Sequence, residues 1–166
     1  MTDRPFCVLF LCTGNSARSI LAEGLLRARG GPGFQAFSAG SQPKGAPHPM
    51  ALEVLRDAGI PTDFAVSKSW EMFAGPSAQP LDLIVTVCDS AAAEQCPIWP
   101  GHPLTVHWGL PDPATVEGSD DVVREAFQET CRAMRSRIDA LLALPLAGLS
   151  QGDAKHRLSQ IGKMEL

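Results

Sequence analysis

Cys12 and Arg18 enclose five residues in the run Cys12-Thr13-Gly14-Asn15-Ser16-Ala17-Arg18, with Ser19 next. A thiol and a guanidinium at this spacing suit attack on a tetrahedral oxyanion. A tight loop leading into a helix aims backbone N–H groups at one point. Those donors, from Thr13 through Ser19, and the positive end of the helix dipole favour an anion, and Arg18 adds a fork for two of its oxygens. Free thiols titrate near 8.5, but thiols at helix N-termini beside arginine titrate at roughly 3.5 to 7.5. One loop would thus bind the anion and activate its attacker. The other reading makes Cys12 a buried structural thiol, with Gly14 and Asn15 merely turning the chain. Position favours chemistry, because ligands gather at the carboxyl ends of strands in α/β sheets. A nucleotide P-loop would need a Gly-Lys-Ser/Thr ending, and a dinucleotide fingerprint more than one glycine; neither is present.

Cys88 and Asp112 are the next candidates. Cys88 follows the apolar run Leu81–Val87, as Cys12 follows Phe6–Leu11, so both should emerge on one rim of a sheet and an encounter of the two sulfurs is geometrically plausible. Seven residues separate Cys88 from Cys96. They read as a short helix, across which the Cα atoms would be roughly 12 Å apart. A disulfide tolerates about 4.4–6.8 Å, so a Cys88–Cys96 bridge requires that helix to unwind. Read alone, Cys88 serves equally as a core residue and Cys96 as a loop thiol. Asp112, flanked by Pro111 and Pro113, is held on a stiff loop and is the candidate proton donor to a departing oxygen; the plainer reading is a turn aspartate. His107 and Trp108 read as packing residues, and Cys7 and Cys131 as core thiols. Zinc is not expected, since no second short-spaced Cys pair joins His102 and His107.

The elements that must position these groups follow from the pattern. Strands are expected at 6–11, 34–40, 81–87 and, as shorter extended pieces, 64–66 and 104–106; helices at 19–27, 48–58 capped by a stop at Gly59 and Pro61, about 70–73 after a Ser67 or Ser69 cap, 122–144 after an Asp120 or Asp121 cap, and 154–161. Strands alternating with helices imply an α/β three-layer architecture, a parallel sheet of about four strands with helices on both faces. The chain of 166 residues reads as one domain, with a core at about 5–144 and a C-terminal extension at about 145–166 for which the sequence offers no role. Net charge of −4 without a basic cluster argues against nucleic-acid binding, and no run approaches the eighteen or so apolar residues of a membrane span. The N-terminus leads into a strand instead of a signal peptide, and five cysteines lack the density of a secreted scaffold, so a cytoplasmic protein is expected.

Taken together, Cys12 to Ser19, the Val87-Cys88 to Cys96-Pro97 segment, and His107-Trp108-Gly109 with Asp112-Pro113-Ala114 resemble the arsenate reductases built on the low-molecular-weight protein tyrosine phosphatase fold, over about residues 5–144. The resemblance implies reduction of arsenate to arsenite with no tightly bound cofactor. By it, Cys12 attacks arsenic, Asp112 protonates the leaving hydroxyl, Cys88 attacks Cys12, and Cys96 attacks Cys88. The resulting disulfide is reduced by an external thiol system: thioredoxin, or a glutaredoxin-glutathione or mycothiol system. Phosphate and sulfate are further expected oxyanion ligands. Thioredoxin-coupled members have one residue fewer between the second and third cysteines. They also bind potassium through positions like Asn15, Glu23 and Ser38 and a downstream aspartate. Here Lys68 stands downstream, either as a replacement for the ion or as a solvated surface lysine. A phosphatase acting on phosphotyrosine or a small phosphoester is the alternative, although Ala114 stands where the phosphatases have tyrosine, and the chain has no tyrosine. A noncatalytic oxyanion-binding protein is the third.

Overall fold

A computed structural model describes residues 4–75, 78–88 and 103–164. Four strands, β1 (Phe6–Cys12), β2 (Phe34–Gly40), β3 (Leu83–Thr86) and β4 (Leu104–His107), form one parallel sheet in the order β2-β1-β3-β4. The α-helices among the described residues are α1 (Arg18–Arg29), α2 (Pro49–Asp57), α3 (Asp120–Leu142) and α4 (Gln151–Ile161). The central strands β1 and β3 are apolar on both faces and are buried there, which is why they read as continuous hydrophobic runs.

Side chains alternate across β1 and divide the core. Val8 and Phe10 pack with Ile20, Leu21 and Leu25 of α1, with Phe127, Met134 and Ile138 of α3, and with Leu158 of α4. Cys7, Leu9 and Leu11 face the other way, where Ile84, Phe37, Trp70 and Phe73 cover them. Among the described residues that second face is covered by the short 3-10 turn Trp70–Phe73, while the long helices lie on the first. Register fixes the functional rim. Cys12 pairs with Gly40, Leu11 with Thr86 and Thr86 with His107, so the chain leaves all four strands along one edge of the sheet.

Several expectations are revised. Residues 64–66 form no strand: Ala65 N–H bonds Thr62 C=O in a turn, and the Phe64 ring turns onto α1, where Gly24 leaves room for it and the Arg27 guanidinium lies 5.1 Å from its centre. Helix α3 starts two residues early because the Ser119 hydroxyl accepts from Val122 N–H, so Asp120 and Asp121 occupy the first turn instead of the cap. Of the two serines before Trp70, Ser69 is the cap. The helix expected at 154–161 begins earlier, at Gln151 after a Ser150 cap, and Ala154, Leu158 and Ile161 of this α4 are buried in the main core. The expected short helix at 89–95 and Cys96 lie outside the described residues.

Candidate active site

The loop from Thr13 to Ala17 joins β1 to α1. Its carbonyls are held from outside by the segment after β2: Gln42 N–H donates to Thr13 C=O (2.9 Å), Lys44 N–H to Gly14 C=O (3.0 Å) and His48 N–H to Ser16 C=O (2.8 Å). In a trans peptide the N–H opposes the C=O, so these bonds turn the amides of Gly14, Asn15 and Ala17 toward the inside of the loop. Helix α1 has no side-chain cap and no acidic residue in its first turn, which leaves its N-terminal donors for an anion. The loop needs its neighbours to come close. A Cβ on Gly40 would lie 2.4 Å from Thr13 O and 2.8 Å from Cys12 O.

Asn15 adopts the left-handed region with φ of 46°, which asparagine tolerates better than most residues. Its Oδ1 accepts from Lys68 N–H (2.8 Å), which points its Nδ2 at the hydroxyls of Ser19 and Ser38, each 2.9 Å away. Because Ser19 Oγ accepts from Asn15, its own hydrogen is available to Cys12 Sγ at 2.9 Å. Ser38 in turn donates to Glu23 Oε1, and Lys68 Nζ lies 3.7 Å from that carboxylate and 3.5 Å from Ser38 Oγ. Glu23 is almost fully buried. Burial pushes its carboxyl above the ordinary range against the pull of Lys68, Ser38 and Arg27, and burial also pushes the Lys68 ammonium down against the attraction of Glu23. Lys68 is therefore no solvated surface lysine. Its ammonium stands among the oxygens that a potassium ion would need, and its amide takes Asn15 Oδ1, so these residues do not fit a further cation.

Arg18, in the first turn of α1, crosses to the opposite wall. Its Nη1 donates to Leu110 C=O (2.9 Å) and its Nη2 lies 3.5 Å from Asp112 Oδ2. Asp112 is the turn aspartate of the plainer reading, its Oδ1 accepting from Ala114 N–H and capping the turn Pro113–Thr115, and its Oδ2 is turned toward the arginine in the cleft. Cys88 leaves β3 on the same rim, its Sγ 3.7 Å from Thr13 Oγ1. A cleft of about 420 Å³ brings Cys12, Arg18, Cys88 and Asp112 together with Thr13, Gly14, Ser16 and Ala17. Gln42 and Lys44, which the sequence did not single out, complete its lining; only their place in the loop after β2 could have suggested them. Among the described residues no aromatic side chain lines it. The side chains of Asn15, Ser19, Ser38, Glu23 and Lys68 do not line the cleft and form the hydrogen-bonded support of the loop. Trp108 is fully buried and packs as expected, whereas His107 bonds Thr86 Oγ1 (2.8 Å) from an exposed position at the end of β4. Cys7 and Cys131 are buried away from the cleft. Among the described residues no group of three His, Cys, Asp or Glu could hold a metal, and no helix is long and apolar enough to cross a membrane.

Residues 7–151 match the low molecular weight phosphotyrosine protein phosphatases. The chain belongs to this family. An arsenate reductase of Bacillus licheniformis is 36% identical over 132 residues, which span 79% of this chain and 91% of that protein. Among solved structures, the thioredoxin-dependent arsenate reductase of Corynebacterium glutamicum is 26% identical with a TM-score of 0.57, over 81% of this chain and 61% of that one. A low molecular weight protein tyrosine phosphatase from T. tengcongensis is 27% identical with a TM-score of 0.65, over 82% and 97%. The family's span holds the whole cleft, and it stops at the first residue of α4.

Proposed function

We propose that the protein reduces arsenate to arsenite. The observation that carries the reading is the second thiol: Cys88 lines the same cleft as Cys12, against the oxyanion loop, where hydrolysis of a phosphoester has no use for it. Ala114 after the acid, where the phosphatases have tyrosine, and the Lys44 and Gln42 rim also suit a small inorganic oxyanion better than a phosphotyrosine ring. The relatives named arsenate reductase support the same choice.

In this reading arsenate sits on the loop amides and the Arg18 fork. The Cys12 thiolate attacks arsenic, an As–S bond forms, and Asp112 protonates the departing hydroxide to water. The Cys88 thiolate then attacks Cys12 Sγ. The As–S bond breaks with its electron pair on arsenic, so As(V) becomes As(III) as two thiols become one disulfide. Cys96, outside the described residues, attacks Cys88 and frees Cys12. An external dithiol reductant, thioredoxin first among the candidates, reduces the Cys88–Cys96 disulfide, and no tightly bound cofactor is needed. Such a cycle belongs in the reducing cytoplasm. Asn15, Ser19, Ser38 and Glu23 support the loop, and the Lys68 ammonium replaces a bound potassium.

The test is arsenate-dependent NADPH oxidation with thioredoxin and thioredoxin reductase. Cys12→Ser and Cys88→Ser each abolish it, and addition of potassium leaves the wild-type rate unchanged. The loop and acid also suit a phosphate monoester, so weak hydrolysis of p-nitrophenyl phosphate is expected to survive Cys88→Ser but not Cys12→Ser. Arsenate turnover that persists in Cys88→Ser would decide for the phosphatase reading.

A further inference from the structure

The acid loop, Trp108 to Asp112, is tied down by groups far away in sequence. Arg18 holds Leu110 C=O, as above. On the far side, Arg137 of α3 donates from Nη1 to Gly109 C=O (3.2 Å). Arg137 is only 3% exposed, its Nε has no hydrogen-bond partner, and no described carboxylate pairs with it. A buried guanidinium without a counter-ion costs stability, and an apolar side chain would fill the same space. Among the described residues the one hydrogen bond of the Arg137 side chain grips the acid loop's backbone. Helix α4 supplies another grip. The Trp108 indole N–H donates to Leu158 C=O (2.9 Å) in the last turn of α4. Just beyond it, Gly162 approaches so closely that a Cβ there would lie 2.3 Å from His107 O and 2.8 Å from Trp108 Cδ1. Pro111 and Pro113 fix the backbone on either side of Asp112, so a shift at Gly109 is passed on to the carboxyl group and not absorbed between them.

We infer that Arg137 and the C-terminal helix α4, with Gly162 at its end, form a brace that positions Asp112 for proton delivery, so that Arg137, Trp108 and Gly162 are positioning residues of the reaction. The inference rests on Asp112 being the proton donor of the proposed function. It gives a role to a segment that begins where the family's shared span ends.

Gly162→Val and Arg137→Met, each made in the full chain and again with Asp112→Asn, test it. Either substitution lowers kcat for arsenate by about 10 to 10²-fold, the loss expected of a misplaced reacting group, while phosphate affinity stays within twofold. Arg137→Lys, which keeps a donor for Gly109 C=O, recovers most of the rate. In the Asp112→Asn background the same substitutions cost nothing further. An equal loss with and without the Asp112 carboxyl, or phosphate affinity falling in step with kcat, overturns the brace. Amide hydrogen exchange reads the geometry without substrate. Exchange at Leu110 and Ala114 rises in both variants while Val8 to Leu11 stay protected; unchanged protection at Leu110 and Ala114 overturns the inference even if the wild type turns over no arsenate. Absent arsenate turnover with the predicted exchange would refute the proposed reaction and leave the brace standing.

Discussion

The two walls of the cleft are built differently. The oxyanion wall, Cys12 to Ser19, is fixed by a contiguous polar network under it, Asn15, Ser19, Ser38, Glu23 and Lys68, and by three backbone bonds from the segment after β2. Among the described residues the acid wall, Trp108 to Asp112, shows no such network. It is held by its own backbone and the Trp108 indole, gripped by Arg18, Arg137 and Leu158. In the proposed reaction the difference follows from what each wall must do. Binding an anion needs many donors converging on one point, and a satisfied network keeps them there. Delivering a proton needs one carboxyl at one height, and a few remote grips on a proline-stiffened loop suffice.

Breaking the acid wall has the largest expected effect among changes that spare the thiols. Asp112→Asn lowers kcat for arsenate by about 10²- to 10⁴-fold, the range for losing a general acid, while phosphate still binds with wild-type affinity in a calorimetric titration. Equal losses in both would mean that the two walls are one unit. Gly40→Ala strikes the other wall. The added methyl pushes on Thr13 O and Cys12 O, so phosphate affinity falls by about tenfold or more and stability drops by about 1–3 kcal/mol, typical of overpacking. Urea unfolding and the same titration check both. The smallest effect concerns the network's charges. The Glu23 carboxyl is held above its ordinary 4.5 by burial. The folded chain then keeps its proton longer than the unfolded one, so stability is fullest below about pH 4.5 and declines as pH rises through the folded value. Glu23→Gln removes that decline. Lys68→Met takes away the cation that pulls hardest on Glu23, moves the folded value further up, and extends the decline to higher pH. Urea midpoints across pH 4 to 8 distinguish the three proteins; identical slopes would show that the pair is not coupled.

The oxyanion wall was the legible one. Its donors, nucleophile and arginine sit in eight consecutive residues between a strand and a helix, so local pattern alone assembles them. Cys88 was legible as the end of a buried strand, and the parallel register then fixes its rim. Gly40 was read only as a strand end, because its reason is a close approach to β1's exit that no local pattern encodes. Arg137 is one arginine among several on α3 and carries no signal of its own, and the place of α4 beside Trp108 and His107 is a tertiary contact that no local pattern encodes. The strand expected at 64–66 failed because Phe64 is drawn onto α1, a tertiary preference that outweighs β propensity.

The central claim is that a second thiol turns an anion-binding loop into an electron-transfer site. Arsenite released in a single turnover, with no reductant added, tests it most directly when the trapped disulfide is mapped by mass spectrometry. Cys96→Ser should release about one arsenite per chain and hold a Cys12–Cys88 disulfide, two electrons for one arsenic, while Cys88→Ser releases none. Arsenite release from Cys88→Ser equal to that of the wild type would contradict the account.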